Sequence, residues 1–504
     1  MPRLRGFLPY STNELGTILA PCLANDTSSG PSGGHTPSER LNRCATALMG
    51  RLFADGYINS RVIPRALPPS GELEVVPGRI EAIEVVSSSG RLQRRLTRLL
   101  RPLQGQVLNL STLTDTLLQV QRLPGVGLLK SNLNRIGEDS SRAALRVTAE
   151  AEALPLRGEV SLRNDGNGGS GQFRGLATLV RDNTLVSGDS LLLFGELNSD
   201  SDPELGSLNG SLSYSLPLFE RLRLTTAFGA SRRTLVEALP PLHDLSFRQL
   251  QLYGQLETSF GETLRSRWSA FAGLSLNRND AYLQGASVPA IAGGGDQGWL
   301  RTGYARLGIG YDYGDGPLVL NASLYGLQGI GAISSAAQRQ ELDFLGIQPN
   351  RARALGSQVL ASWLPAPRWQ VKMLAAGQLA FAPLPNPMGF SLGSDNGLRG
   401  LPGQVVSGDS GLLGSVELAY LLWRGRRDAL QLVPFLGAGK VWSEIRQATL
   451  RDSAGAGGLL LRWSHGRRGE LEVGWARQFQ SASRAFWEDW ILGSGLYTKV
   501  VFRF

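Results

Sequence analysis

Gly469 to Gln480 reads GELEVGWARQFQ. Glu470, Glu472, Gln478 and Gln480 alternate along it with Leu471, Val473, Trp475 and Phe479. A period of two puts the polar set on one face of a β-strand and the apolar set on the other. The chain ends in the same manner, LYTKVVFRF, with Leu496, Val500, Phe502 and Phe504 facing one way and Lys499 and Arg503 the other. Leu208 to Leu216 repeats the pattern, with Asn209, Ser211, Ser213 and Ser215 on one face. From about Leu156 onward helical periodicity disappears. Roughly sixteen alternating segments of about ten residues follow, separated by turn residues, which is the pattern of an outer-membrane barrel. A soluble sandwich alternates too, but about sixteen strands would be unusually many for one. In a barrel the apolar face meets lipid and the polar face lines the lumen. The expected fold is mainly β: an antiparallel transmembrane barrel of about sixteen strands with its termini on the periplasmic side.

One stretch breaks the alternation. Met388 to Gly411, MGFSLGSDNGLRGLPGQVVSGDSG, is long, rich in Gly and irregular. It lies between two alternating segments, Trp369 to Phe381 and Gly411 to Trp423. A structureless loop of this length between strands is usually functional. Arg399, alone among small residues, reads as a guanidinium carried to a carboxylate. A solvated surface loop is the bland alternative.

Composition narrows the classes. The 504 residues include 63 Gly, 42% are hydrophobic and 18% charged, and the net charge is +9. Arginine carries nearly all of that charge, but no basic run with interleaved aromatics signals nucleic acid. Scattered arginines fit a cationic lumen or contact with an acidic membrane surface equally well. The two cysteines, Cys22 and Cys44, are either one disulfide in an oxidising compartment or two buried thiols. His35, His243 and His465 are far apart. No phosphate loop, nucleophile elbow or zinc-binding pair is present in the sequence, so neither an enzyme nor a metal or cofactor is expected. Pro9, Asn13 and Glu14 interrupt any signal-peptide core in Met1 to Pro21. The longest uncharged runs, 316–338 and 373–394, are too polar or too rich in proline for a spanning helix.

Before the barrel the pattern is mixed α and β, and it repeats. Thr36-Pro37-Ser38-Glu39 is a capping box. The helix after it places Leu41, Ala45, Leu48, Met49, Leu52 and Phe53 on an inner face. Tyr57 to Ile63 reads as a strand, a turn at Pro68-Pro69-Ser70-Gly71 follows, and Glu72 to Val76 is a second strand. In the next unit Ile80 to Val86 is a strand and Leu92, Leu96, Leu99 and Leu100 mark a helix. Ser111 caps another helix, which stops at Leu123-Pro124-Gly125. Gly127 to Leu133 and Ala143 to Ala149 are strands. Both units have the order β-α-α-β-β, and the first lacks most of its opening strand.

Taken together the chain resembles the two-partner secretion transporters, the haemolysin secretion/activation proteins of outer membranes. Gly56-Tyr57-Ile58, Pro64, Gly71-Glu72-Leu73 and Pro77-Gly78-Arg79-Ile80-Glu81 look like that family's first POTRA domain. Leu123-Pro124-Gly125-Val126 looks like the end of a POTRA helix. Asn164-Asp165-Gly166, Asp182-Asn183 with Gly188-Asp189, and Tyr214-Ser215-Leu216-Pro217-Leu218 follow the family's barrel pattern. Leu398-Arg399-Gly400-Leu401 looks like the motif of the loop that folds back into the barrel, and Ser407-Gly408-Asp409 and Glu417 follow it. The resemblance implies POTRA domains over 1–78 (N-terminally truncated) and 79–152, and a barrel over 153–504. It implies an outer membrane, a periplasm, and a secreted partner exoprotein bound there unfolded and exported. It implies no catalytic residue, contact with outer-membrane lipid, no nucleic acid, and a monomeric barrel. A periplasmic setting favours a Cys22–Cys44 bridge, with Cα atoms within about 7 Å.

The sequence departs from the family at one point. The loop arginine's usual partner is an aspartate in a Phe-x-Asp-x-Gly strand, and here Phe435, Gly437 and Gly439 leave glycine in that place. Glu417 and Asp409 are the substitute acids, with Glu417 preferred because Val416 and Leu418 beside it turn to lipid. The family's N-terminal plug helix and linker have no counterpart in this sequence. An assembly insertase of the same superfamily is the alternative, and a passive porin a lesser one, since a porin has no use for the N-terminal units.

Overall fold

The computed structural model describes residues 2–23, 36–68, 71–121, 123, 126–151, 156–186, 188–201, 204–219, 221–238, 242–263, 265–288, 298–445, 448–481 and 487–504. The expected turn residues Pro69 and Ser70, and Pro124 and Gly125, lie outside them. The chain divides into two compact units at residue 155/156.

The first unit holds two small mixed sheets. In the first, β1 (Arg3–Gly6) runs parallel to β3 (Glu72–Val76), which pairs antiparallel with β2 (Arg61–Arg65). Helices α1 (Thr12–Leu23) and α2 (Pro37–Ala54) complete it. The Thr36 hydroxyl accepts from the Glu39 N–H, and the Glu39 carboxylate accepts from the Thr36 N–H, closing the capping box. In the second sheet β4 (Arg79–Ser87) is parallel to β6 (Arg142–Ala151), and β5 (Val126–Arg135) is antiparallel to β6. Helices α3 (Gly90–Leu100) and α4 (Leu110–Gln121) lie between β4 and β5 in the chain.

Several expectations need correction. The first sheet does have an opening strand, Arg3–Gly6; with two arginines and only Leu4 half-buried, it shows no apolar alternation. Strand β2 begins at Arg61, because Tyr57 to Ser60 forms a turn closed by the Ser60 N–H donating to the Tyr57 carbonyl. On α2, Met49 and Phe53 are exposed. Asn109, rather than Ser111, caps α4: its Oδ1 accepts from the N–H of Ser111 and of Thr112.

Cys22 and Cys44 form a disulfide with a Cα–Cα separation of 5.2 Å. Both sulfurs sit in the apolar cluster of Leu19, Leu48, Leu52 and Leu73, so the bridge ties α1 to α2 through the core. Its ends are 22 residues apart in sequence. Replacing both cysteines by serine is expected to cost about 3 kcal/mol. Urea titration of the full chain, with protease cleavage before residue 155 as readout, is expected to show a lower midpoint for that unit alone.

The second unit is a closed antiparallel barrel. Its strands are β7 (Leu156–Arg163), β8 (Phe173–Asp182), β9 (Ser190–Ser199), β10 (Leu205–Pro217), β11 (Leu222–Thr234), β12 (Ser246–Glu262), β13 (Ser266–Leu283) and β14 (Trp299–Asp315). The remainder are β15 (Leu318–Gly329), β16 (Arg353–Ala366), β17 (Trp369–Ala380), β18 (Ser410–Arg424), β19 (Asp428–Ile445), β20 (Ala448–His465), β21 (Gly469–Ser481) and β22 (Leu496–Arg503). These sixteen close where β22 meets β7, from Lys499↔Arg163 to Arg503↔Glu159. A two-residue strand, Ala286–Ser287, adds to the end of β13.

Alternation decides which way each residue points. Leu471, Val473, Trp475 and Phe479 of β21 face outward, with Val473, Trp475 and Phe479 well exposed, while Glu472 faces in and is buried. The two ends of the barrel differ. One carries short turns, such as 316–317, 367–368, 425–427 and 466–468, and the other long connections, 330–352 and 381–409. Rings gather near the short-turn end: Trp268 on Tyr311 at 4.5 Å, Trp369 on Tyr420 at 4.6 Å, and exposed Trp463, Phe502 and Phe504. Such a girdle marks the membrane interface of a barrel.

Candidate functional site

The connection between β17 and β18, residues 381–409, turns back into the barrel. Leu398 and Leu401 are fully buried and pack with Leu392, Leu413, Val441 and Ala456. Gly400 has φ +82°, and a Cβ there would lie 2.8 Å from the Ala476 Cβ and 3.3 Å from Ala456. Only glycine fits both that backbone and that gap. The Gly400 carbonyl accepts from Gln478 Nε2 at 2.9 Å. Residues of β18 to β21 therefore surround the loop tip.

Arg399 projects from this tip into a cluster of charge. Its Nε donates to Glu417 Oε1 at 2.7 Å, its Nη1 to Glu472 Oε2, and more weakly to the Tyr497 hydroxyl at 3.3 Å. Arg462 meets the same two acids, donating to Glu472 Oε1 at 2.6 Å and to Glu417 Oε2 at 3.4 Å. Two guanidiniums and two carboxylates thus alternate in a ring, and Glu472 is wholly buried. Each charge is neutralised by two of opposite sign. Buried ion pairs persist only when compensated in this way, and removing one member strands the others.

Of the two substitute acids, Glu417 meets Arg399, while Asp409 lies at the root of the loop. Its Oδ1 accepts from the Leu384 N–H at 3.1 Å and its own N–H donates to Ser443 Oγ at 2.8 Å. The strand Phe435, Gly437, Gly439 lies against the loop. A Cβ at Gly437 would stand 3.0 Å from Leu398 Cδ2, and one at Gly439 would stand 2.5 Å from Leu392 Cδ2. Leu398 and Leu392 thus occupy the space that side chains on β19 would need, and the acids are supplied from β18 and β21 instead. Glu472 was visible in the sequence as a polar-face residue. Its meeting with Arg399 depends on how β20 and β21 register, Arg462 opposite Glu472, and alternation cannot show that.

A second set of contacts holds the same loop from the other side. Arg174 of β8 is paired with Glu196 of β9 at 2.9 Å and with Asp395 of the loop at 2.5 Å. The Gly403 N–H donates to the Gly166 carbonyl at 2.8 Å. Asn164, next to these, donates to the Leu496 carbonyl and accepts from the Thr498 N–H, stapling β7 to β22.

At the opposite end, Asp182-Asn183 and Gly188-Asp189 build the first short turn. Asn183 sits at φ +54°, and its Oδ1 accepts from the Gly188 N–H. The Asp189 carboxylate accepts from the N–H groups of Thr184, Leu185 and Val186, at 2.6, 2.7 and 2.9 Å, and from the Tyr214 hydroxyl at 2.5 Å. Burial pushes its pKa upward, but the Tyr214 and backbone hydrogen bonds outweigh it and hold the carboxyl below its usual range. A depressed carboxyl stabilises the fold above its unfolded pKa, and that contribution is lost as pH falls through its folded value. Hydrogen exchange of the 183–189 amides is expected to stay slow at neutral pH and to accelerate only below the ordinary carboxylate range. In Asp189→Asn the protection is expected to be lost at neutral pH as well.

Among the described residues no cluster of His, Cys, Asp and Glu could hold a metal ion, and no helix is long and apolar enough to cross a membrane. In fold the chain is similar to CdiB from Escherichia coli, with a TM-score of 0.73 at 17% identity over all of this chain and 89% of that one. CdiB from Acinetobacter baumannii gives 0.66 at 16% over the same shares. BamA from Haemophilus ducreyi lacking POTRA domains 1–3 gives 0.53 at 14%, over all of both chains. No curated protein sequence matches the chain. The haemolysin secretion/activation family ShlB/FhaC/HecB matches residues 142–460, more than half of its length. A closed barrel of sixteen strands after two POTRA-like sheets, together with that match, settles the family: the chain belongs to the ShlB/FhaC/HecB proteins, non-enzymatic two-partner secretion transporters of the outer membrane whose POTRA domains are periplasmic.

Proposed function

We propose that this chain binds an unfolded exoprotein in the periplasm and exports it through its barrel, as a monomer, with residues 381–409 closing the lumen at rest. The observation that carries this reading is the four-charge ring of Arg399, Glu417, Arg462 and Glu472. It ties the loop tip to the barrel wall by charge beside the apolar packing of Leu398 and Leu401, and these polar contacts can be exchanged for water or for a passing chain's polar groups without breaking a strand. The two N-terminal units are the POTRA domains, divided near residue 78, and would receive the exoprotein. The edge strands of their sheets are β1, β2, β4 and β5, and of the two antiparallel edges β2 has Pro64 in it and β5 no proline. Proline removes a ladder donor, so β5 is the better edge for an added strand. Folding of the exoprotein outside supplies direction.

The experiment is co-expression with candidate large β-helical exoproteins of the same cell, in a host lacking its own secretion pair. Exoprotein in the medium only when this chain is present supports export. Exoprotein retained, with falling levels of other outer-membrane barrels on depletion of this chain, would instead indicate an assembly insertase.

A further inference from the structure

The short-turn end of the barrel carries a concentration of arginine that export does not use. Three neighbouring turns, 367–368, 425–427 and 466–468, are joined edge to edge. The Leu421 N–H donates to the Arg368 carbonyl at 2.9 Å, and the Gly466 N–H to the Arg427 carbonyl at 2.5 Å. On them stand Arg368, Arg424, Arg426, Arg427, Arg467 and Arg468, all exposed. None is in an ion pair among the described residues. The acids on these turns are already engaged: Asp428 with His465 at 2.8 Å, and Glu470 with Lys499 and Arg503.

The rest of the rim is different. Beside turn 263–265, Arg265 is paired with Asp315 at 3.1 Å and Arg267 with Asp312 at 3.0 Å. Exposed Arg181 and Arg221 on this rim also lack an ion pair among the described residues, but each stands alone, whereas these three joined turns gather six. This arc also coincides with exposed tryptophans, Trp363, Trp369, Trp423 and Trp463, at the ends of the strands that lead into these turns. Tryptophan settles at headgroup depth. Arginine just beyond it meets the phosphate plane, where its fork of donors can hold a phosphate by two hydrogen bonds.

The leaflet is set by topology. The Arg503 N–H donates to the Arg468 carbonyl, and the Phe504 carbonyl accepts from the Gly158 N–H, so the arc adjoins both ends of the barrel chain. That end follows the periplasmic POTRA domains and faces the periplasm.

We propose that this arc is a binding site for the headgroups of anionic phospholipids in the periplasmic leaflet of the outer membrane.

The test uses the purified full chain in detergent, offered equal amounts of phosphatidylglycerol and phosphatidylethanolamine, with bound lipid counted by native mass spectrometry. The expected result is retention of phosphatidylglycerol over phosphatidylethanolamine. In Arg426→Gln/Arg427→Gln/Arg467→Gln that preference should fall about tenfold or more, since each cation near an anionic surface contributes separately. Arg265→Gln/Arg267→Gln, on the paired part of the rim, should leave it unchanged, and excess inorganic phosphate should not displace the lipid. Heat-modifiable gel mobility checks that each variant is a folded barrel, and Arg467→Gln alone serves if the triple variant is not. Equal retention by wild type and triple variant overturns the proposal. So does displacement by inorganic phosphate, which would mean a free-anion site, or preferential binding of polyglutamate, which would mean an acidic polypeptide.

Discussion

Arg399→Ala is expected to reduce exoprotein secretion strongly while the barrel still inserts and still shows heat-modifiable mobility. The substitution removes the one cation that the loop tip contributes to the ring, leaving Glu417 and Glu472 to share Arg462. Removing one partner of a buried pair costs about 3–5 kcal/mol. Here the side chain of Arg399 retains some solvent contact, 17% of its surface, so the lower figure applies. About 3 kcal/mol shifts the balance between held and released loop by roughly a hundredfold. The apolar packing of Leu392, Leu398 and Leu401 still favours the docked loop, so the loop opens more often without unfolding the barrel. Secretion and barrel folding are thus predicted to separate, and steady-state barrel levels measured beside secreted exoprotein check it. Arg399→Lys is expected to restore only part of the effect, because an ammonium cannot reach both carboxylates in fork geometry.

The second large effect is expected at Glu472, the most deeply buried acid of the ring. Glu472→Gln leaves Arg399 and Arg462 facing one another with only Glu417 between them. Two like charges then share a confined space, and both the loop tip and strand β20 lose a partner. The expected loss is about 3–5 kcal/mol of barrel stability, larger than for Arg399→Ala because the stranded Arg462 is itself nearly buried. The temperature at which the folded gel band disappears should drop further than in Arg399→Ala. The double variant Arg399→Ala/Glu472→Gln is expected to be less damaged than the sum of the two, since neighbours in one ion network do not act additively.

Much of the fold could be read from alternation because a barrel's two faces see opposite solvents. Glu472 between Leu471 and Val473 announces both its strand and its direction. The N-terminal strand Arg3–Gly6 could not be read that way, because an edge strand with exposed arginines carries no apolar period. The α4 cap is ambiguous in sequence because Ser111 and Asn109 are both capping types, and only geometry shows which oxygen the free N–H groups meet. Within the site, Arg399 and Glu417 stand out in sequence, the first as a lone cation in a glycine-rich loop, the second as an acid between lipid-facing neighbours. Arg462 and Glu472 enter the ring through strand register and the depth to which the loop descends, neither of which is written locally. Gly437 is the instructive case: the missing acid on β19 is matched by Leu398 filling its place, and the charge is met two strands away on β21.

The central claim is that the loop tip is held inside the lumen by Arg399. It is tested most directly by reactivity at Leu398. Cys22 and Cys44 are bridged, so Leu398→Cys introduces the one free thiol in the chain. A membrane-impermeant maleimide is applied to intact cells. The account predicts that this thiol is protected while Arg399 is present, and that it labels at least about tenfold faster once Arg399→Ala is added, as expected for a released pair. Rapid labelling of Leu398→Cys with Arg399 in place would contradict it.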